Sequence, residues 1–179
     1  MNEQIIIAGF GGQGVLSMGK MLAEAGMIEG REVTWLPSYG PEMRGGTSNC
    51  SVIISDDWIG APNITQATAV IAMNAPSLDK FESYVAPGAL LFINSSIIER
   101  KAVRTDIEVH YVPANDIAEE LGNSRVANMV MLGAYLAKKP IVKVDTVIDQ
   151  LKEVLGAKKA HLIPLNREAI ERGAQAAIK

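Results

Sequence analysis

The chain has 179 residues, and 17 Lys+Arg against 20 Asp+Glu give a formal charge of −3. With 48% hydrophobic and 21% charged residues it can bury one full core, which argues against disorder. Residues 1–100 carry 5 basic and 10 acidic side chains and residues 101–179 carry 12 and 10, so neither half builds the positive field that a nucleic acid rewards.

The first segment, Gln4–Phe10, is a β-branched apolar run without alternation, the pattern of a strand buried on both faces of a parallel sheet. A glycine-rich turn follows, and Val15, Met18, Leu22 and Ala25 then recur at helical spacing up to a stop at Gly30. Val33–Leu36 reads as a second strand ended by Pro37, and Ser38–Thr47 as a long loop. Asn49–Ser55 is a strand candidate, and Trp58-Ile59-Gly60 is expected to return beside it as a short antiparallel partner.

Ala69–Met73 and Leu90–Ile93 read as buried strands joined by a helix over Pro76–Val85 that stops before Pro87-Gly88. Glu108–Val112 is a further strand, followed by helices near 114–121, 124–138, 145–155 and 166–177. The expected fold is therefore α/β, a single-domain layered sandwich over 1–179. It has a mostly parallel sheet, a short antiparallel hairpin and a helical C-terminal third. Helix 124–138 is apolar nearly all round, so it is either central or covered by another protein. We expect an interface, with Gly133 and Ala134 allowing close approach and Asn128 bonded to a loop carbonyl or a neighbouring subunit.

The chemistry-bearing motifs lie near the start. Gly9-Phe10-Gly11-Gly12-Gln13-Gly14 satisfies G-x-G-x-x-G between a strand and a helix, where exposed N–H groups and the helix dipole favour an anion; a tight turn without ligand is the alternative. The second strand ends without the Asp or Glu that holds a ribose, which disfavours a dinucleotide dehydrogenase. Gly14–Met21 almost spells a P-loop, but Met21 stands where a magnesium-binding Ser or Thr belongs, and Lys20 reads as a helix lysine paired with Glu24. Within the Ser38–Thr47 loop, Arg44 either clamps a carboxylate or phosphate or pairs with Glu42 or a partner chain.

Cys50 reads as a small hydrophobe within a strand, and His110 and His161 as structural residues. No residue stands out as a nucleophile or acid/base, and no Cys/His spacing suits a metal, so both the catalytic and the metal sets are empty. The N-terminal residues lack a basic leader region and no apolar run reaches the roughly 18 residues of a membrane span, so a cytoplasmic location is expected.

Taken together, GFGGQG at residues 9–14, SYGPEMRGGT at 38–47 and Gly60-Ala61-Pro62 resemble the gamma subunit of 2-oxoacid:ferredoxin oxidoreductases. The resemblance implies a multisubunit enzyme that decarboxylates a 2-oxoacid on thiamine diphosphate, passes electrons through iron–sulfur clusters to ferredoxin and releases acyl-coenzyme A. Thiamine diphosphate, its magnesium and the clusters would then reside on partner alpha, beta and delta chains, because this chain has neither a thiamine-binding motif nor a cysteine set. The wording of residues 42–47 is most similar to the 2-oxoglutarate branch.

By the same resemblance Gly11, Gly12, Gln13, Gly14 and Ser17 would line the coenzyme A side, and Tyr39, Arg44 and Gly45 would face the crevice shared with the catalytic subunits. The competing reading is a stand-alone Rossmann-like nucleotide-binding module or NAD-dependent dehydrogenase.

Overall fold

The computed structural model describes residues 1–38 and 47–178. Its centre is a six-stranded sheet: β1 (Asn2–Phe10), β2 (Glu32–Ser38), β3 (Thr47–Ser55), β4 (Ala67–Ala72), β5 (Val85–Asn94) and β6 (Glu108–Val112), in the order β2-β3-β1-β4-β5-β6. The strands β1, β4, β5 and β6 run parallel, whereas β3 is antiparallel to both β1 and β2. Two reversals restore direction, so β2 runs with β1 and both strands finish at one edge of the sheet.

Burial on both faces follows from the side-chain period of two. Ile5 and Ile7 of β1, Ala69 and Ile71 of β4 and Leu90 and Phe92 of β5 point into one apolar layer. Ile6, Ala8, Val70, Ala72, Leu91 and Ile93 point into the other. The first layer is covered by α1 (Val15–Ile28), α3 (Ala114–Glu120), α4 (Ala127–Lys138), α5 (Val144–Leu155) and α6 (Ile163–Ile178). The second is covered by α2 (Ala75–Phe81) and by segments bearing Ile59, Ile64 and Ile98.

Helix α1 lies close on the sheet because its inner face carries glycines. A Cβ at Gly19 would overlap Cys50 Sγ. The helix ends where Gly30 takes φ +80° and Arg31 N–H bonds back to the Gly26 carbonyl at 3.0 Å. At the start of α2, the Asn74 side chain accepts from Ser77 N–H at 2.9 Å and a proline sits in the first turn.

Three expectations change. Pro37 does not end β2 but lies within it opposite Cys50, which an edge strand tolerates. Trp58-Ile59-Gly60 forms no strand; the antiparallel partners of β3 are β1 and β2, and Trp58 is 82% exposed. Helix α4 is not an exposed interface: Ala127–Leu136 are all buried, sealed by α6. Gly133 packs on the Ile170 carbonyl and Gly173 on the Val130 carbonyl, so each helix supplies the gap that admits the other's backbone. No helix among the described residues is long and apolar enough to cross a membrane.

Candidate functional site

The glycine turn leaves the carboxyl end of β1, the edge at which parallel sheets place their ligands. Gly12 at φ +91° and Gly14 at φ +73° hold conformations that side-chain-bearing residues rarely adopt, and they fold Gly11–Gly14 tightly into α1. Gln13 braces the turn from within. Its Oε1 accepts from Phe10 N–H at 2.6 Å and its Nε2 donates to the Met73 carbonyl at 3.2 Å, tying the end of β1 to the end of β4.

The Met73 carbonyl also accepts from Asn94 Nδ2 at 3.4 Å, and Asn94 Nδ2 donates to Asn115 Oδ1 at 2.8 Å. A line of amides thus joins the edges of β1, β4 and β5 to the start of α3.

Helix α1 begins without a side-chain cap and without an acidic residue in its first turn. The N–H groups of Val15, Leu16 and Ser17 therefore point out of the positive end of the helix dipole with no side-chain acceptor among the described residues, the arrangement that binds an anion. They border a cavity of about 340 Å³ lined by Phe10, Gly11, Gly12, Gly14, Ser17 and Ser48.

The feet of the segment 39–46 stand beside it, since Ser38 pairs with Asn49, Thr47 with Phe10 and Ser48 with Gly9. Tyr39, Arg44 and Gly45, which the sequence places at a shared crevice, lie outside the described residues. Of the residues assigned to the glycine turn, Gly11, Gly12, Gly14 and Ser17 line this cavity together. Gln13 lines a smaller one of about 170 Å³ on the other side of the turn, with Asn115, Ser124 and Arg125.

Asn128 supplies the support behind the turn. Its Nδ2 donates to the Gly14 carbonyl at 3.3 Å and its Oδ1 accepts from Met129 N–H at 2.9 Å, so its partner is a loop carbonyl of the same chain. Arg125 and Ser48 escaped the sequence analysis, one because it sits in a 3₁₀ turn with no motif, the other because it is an ordinary strand serine until the register places it beside Gly9.

Lys20, Met21, Cys50 and His110 are held in structural contacts. Lys20 Nζ lies 3.7 Å from Glu24 and Met21 is buried, so the P-loop-like spelling carries no phosphate site. Burial pushes the Cys50 thiol up to about 12, and its Sγ contacts the Val15 carbonyl at 3.6 Å, so it is no thiolate ligand. His110 stacks on Phe92 at 5.1 Å between centroids and bonds Glu108 at 2.8 Å, and partial burial lowers its pKa. Among the described residues no group of three His, Cys, Asp or Glu side chains is placed to hold a metal ion. The single cysteine of the full sequence, Cys50, is too few for the cysteine set of an iron–sulfur cluster.

The family model described as pyruvate ferredoxin/flavodoxin oxidoreductase matches residues 4–176. The ketoisovalerate oxidoreductase subunit VorA of Methanothermobacter thermautotrophicus is 40% identical over 172 residues, 96% of this chain and 36% of VorA. The chain thus spans little more than a third of that relative. The gamma subunit of a keto/oxoacid ferredoxin oxidoreductase from Geobacter sulfurreducens superposes with a TM-score of 0.84 at 29% identity and covers 98% of each chain. A 2-oxoglutarate:ferredoxin oxidoreductase from Magnetococcus marinus, solved with 2-oxoglutarate, coenzyme A and succinyl-CoA, shares the fold at a TM-score of 0.90 and 23% identity, over 99% of this chain and 31% of that one.

Proposed function

Because the chain belongs to the pyruvate ferredoxin/flavodoxin oxidoreductase family, as an oxidoreductase subunit of the gamma type, we propose that it completes the coenzyme A pocket of a multisubunit 2-oxoacid:ferredoxin oxidoreductase. The complex oxidatively decarboxylates a 2-oxoacid, transfers the acyl group to coenzyme A and reduces ferredoxin. Its alpha, beta and delta chains hold the thiamine diphosphate, the magnesium and the iron–sulfur clusters; the single cysteine of this chain is too few for a cluster. The 2-oxoacid we assign is 2-oxoglutarate, on the wording of residues 42–47; relatives are named for ketoisovalerate as well as 2-oxoglutarate. The assembly works in the cytoplasm.

One observation carries this reading: the uncapped start of α1 opens onto the Gly11–Ser17 cavity beside both feet of segment 39–46. In this role the N–H groups of the first turn and the Ser17 hydroxyl hold a phosphate of coenzyme A, the glycines let it approach the backbone, and Tyr39, Arg44 and Gly45 complete the crevice against the catalytic chains. Gln13 contributes by keeping the turn in shape. The chain supplies binding and orientation, and no proton transfer is assigned to it.

Affinity purification of the tagged chain from its native cell tests the reading. The expected result is co-elution with thiamine- and cluster-bearing polypeptides and coenzyme A-dependent ferredoxin reduction with 2-oxoglutarate. Elution of the chain alone, without such partners, overturns it.

A further inference from the structure

A second cavity, of about 410 Å³, lies on the far side of α1 from the sheet, between α1, the start of α4, α5 and α6. Its floor is apolar: Met21, Val126, Met129 and Leu151 are each no more than 5% exposed, and Leu155 and Leu162 close its sides. Its charges lie among the lining as well. Glu24 is matched by Lys20 at 3.7 Å, whereas neither Arg125 nor Lys159 has a carboxylate within ion-pair distance among the described residues. The cavity therefore joins an aliphatic interior to a net positive lining on a chain whose formal charge is −3.

We propose that this cavity binds an aliphatic monoanion, a ligand with an unbranched hydrocarbon body and one carboxylate. The volume lies in the range of small-molecule sites and accommodates a chain of about ten carbons. Flexible methionine side chains on the floor shape themselves to such a chain, and Arg125, with its planar fork, suits the carboxylate. Arg125 and Lys159 are exposed, so water solvates them and a neutral head costs nothing there, but a cationic head is repelled and an anionic head gains a modest attraction from both. Charge complementarity thus selects the anion.

Calorimetric titration of the full chain with decanoate, 1-decanol and decyltrimethylammonium tests the proposal without coenzyme A or a partner subunit, so its outcome is separate from that of the functional reading. Saturable decanoate binding is expected, about tenfold tighter than for either analogue. Val154→Glu puts a carboxylate on the cavity lining at a position that is 60% exposed. It is expected to weaken decanoate about threefold while leaving the melting temperature unchanged. Arg125→Ala combined with Lys159→Ala should bring decanoate down to the affinity of decanol. Absence of saturation, equal binding of decanoate and decanol by the native chain, or unaltered decanoate affinity in these variants overturns the proposal.

Discussion

The carboxamide of Asn128 fills the space in which Gly14 would carry a side chain: a Cβ built on Gly14 overlaps Asn128 Nδ2, the atom that donates to the Gly14 carbonyl. Gly14→Ala therefore meets both a left-handed backbone and an occupied site. It should destabilise the chain by about 2–4 kcal/mol, and Asn128→Ala alone by about 1–2 kcal/mol. Combined, the two should cost less than their sum by at least about 1 kcal/mol, because removing the amide relieves the overlap. Denaturant titration of the four proteins measures this, and strict additivity would contradict the packing described.

The crossing of α4 and α6 makes a sharper demand. A methyl group at Gly133 or Gly173 runs into backbone of the opposing helix, which has no rotamer to yield. Either alanine should cost about 3 kcal/mol or more, whereas Gly30→Ala, at φ +80° but in open space, should cost about 1 kcal/mol. Comparing the denaturation midpoints of the three variants checks the ranking.

His110 ties stability to pH. Partial burial lowers its pKa, aided by Lys138 and opposed by the Glu108 hydrogen bond, so the unfolded chain takes the proton first. Its contribution to stability is complete above the unfolded value of about 6.5 and is lost as pH falls through the depressed folded value. His110→Phe, which keeps the ring against Phe92, should flatten the stability profile between about pH 7 and 5. An identical profile in the variant would remove His110 as the source.

Cys50 reports on opening of the sheet. With its thiol pushed up to about 12 and no exposure, it should resist iodoacetamide at about pH 8 and react as soon as denaturant unfolds the chain. Mass spectrometry of the alkylated protein across a denaturant series should trace the same transition as circular dichroism. Rapid labelling of the native protein would show that β3 is not held under α1 as described.

The elements that local pattern specifies were legible in the sequence. The unbroken Ile5-Ile6-Ile7 run marked a doubly buried strand, and Glu108–Val112 ends where its pattern ends. What depends on distant neighbours was not. β3 is an unremarkable alternating segment until its insertion between β2 and β1 fixes its partners. The burial of α4 depends on Gly173, some forty residues beyond Gly133, and no periodicity within α4 announces it. The site shows the same division. The glycines were visible as a motif, but the inward turn of the Gln13 amide depends on a carbonyl sixty residues away.

That carbonyl has a chemical consequence for the smaller cavity beside Gln13. Met73 has two lone pairs on its oxygen, and Gln13 and Asn94 take one each, so it has nothing left to offer a visitor. Around the first turn of α1, by contrast, the N–H groups of residues 15–17 meet no side-chain acceptor among the described residues, and the Ser17 and Ser48 hydroxyls beside them can both donate and accept. The polar groups at that opening therefore tilt towards donors, which favours a visitor rich in electron pairs.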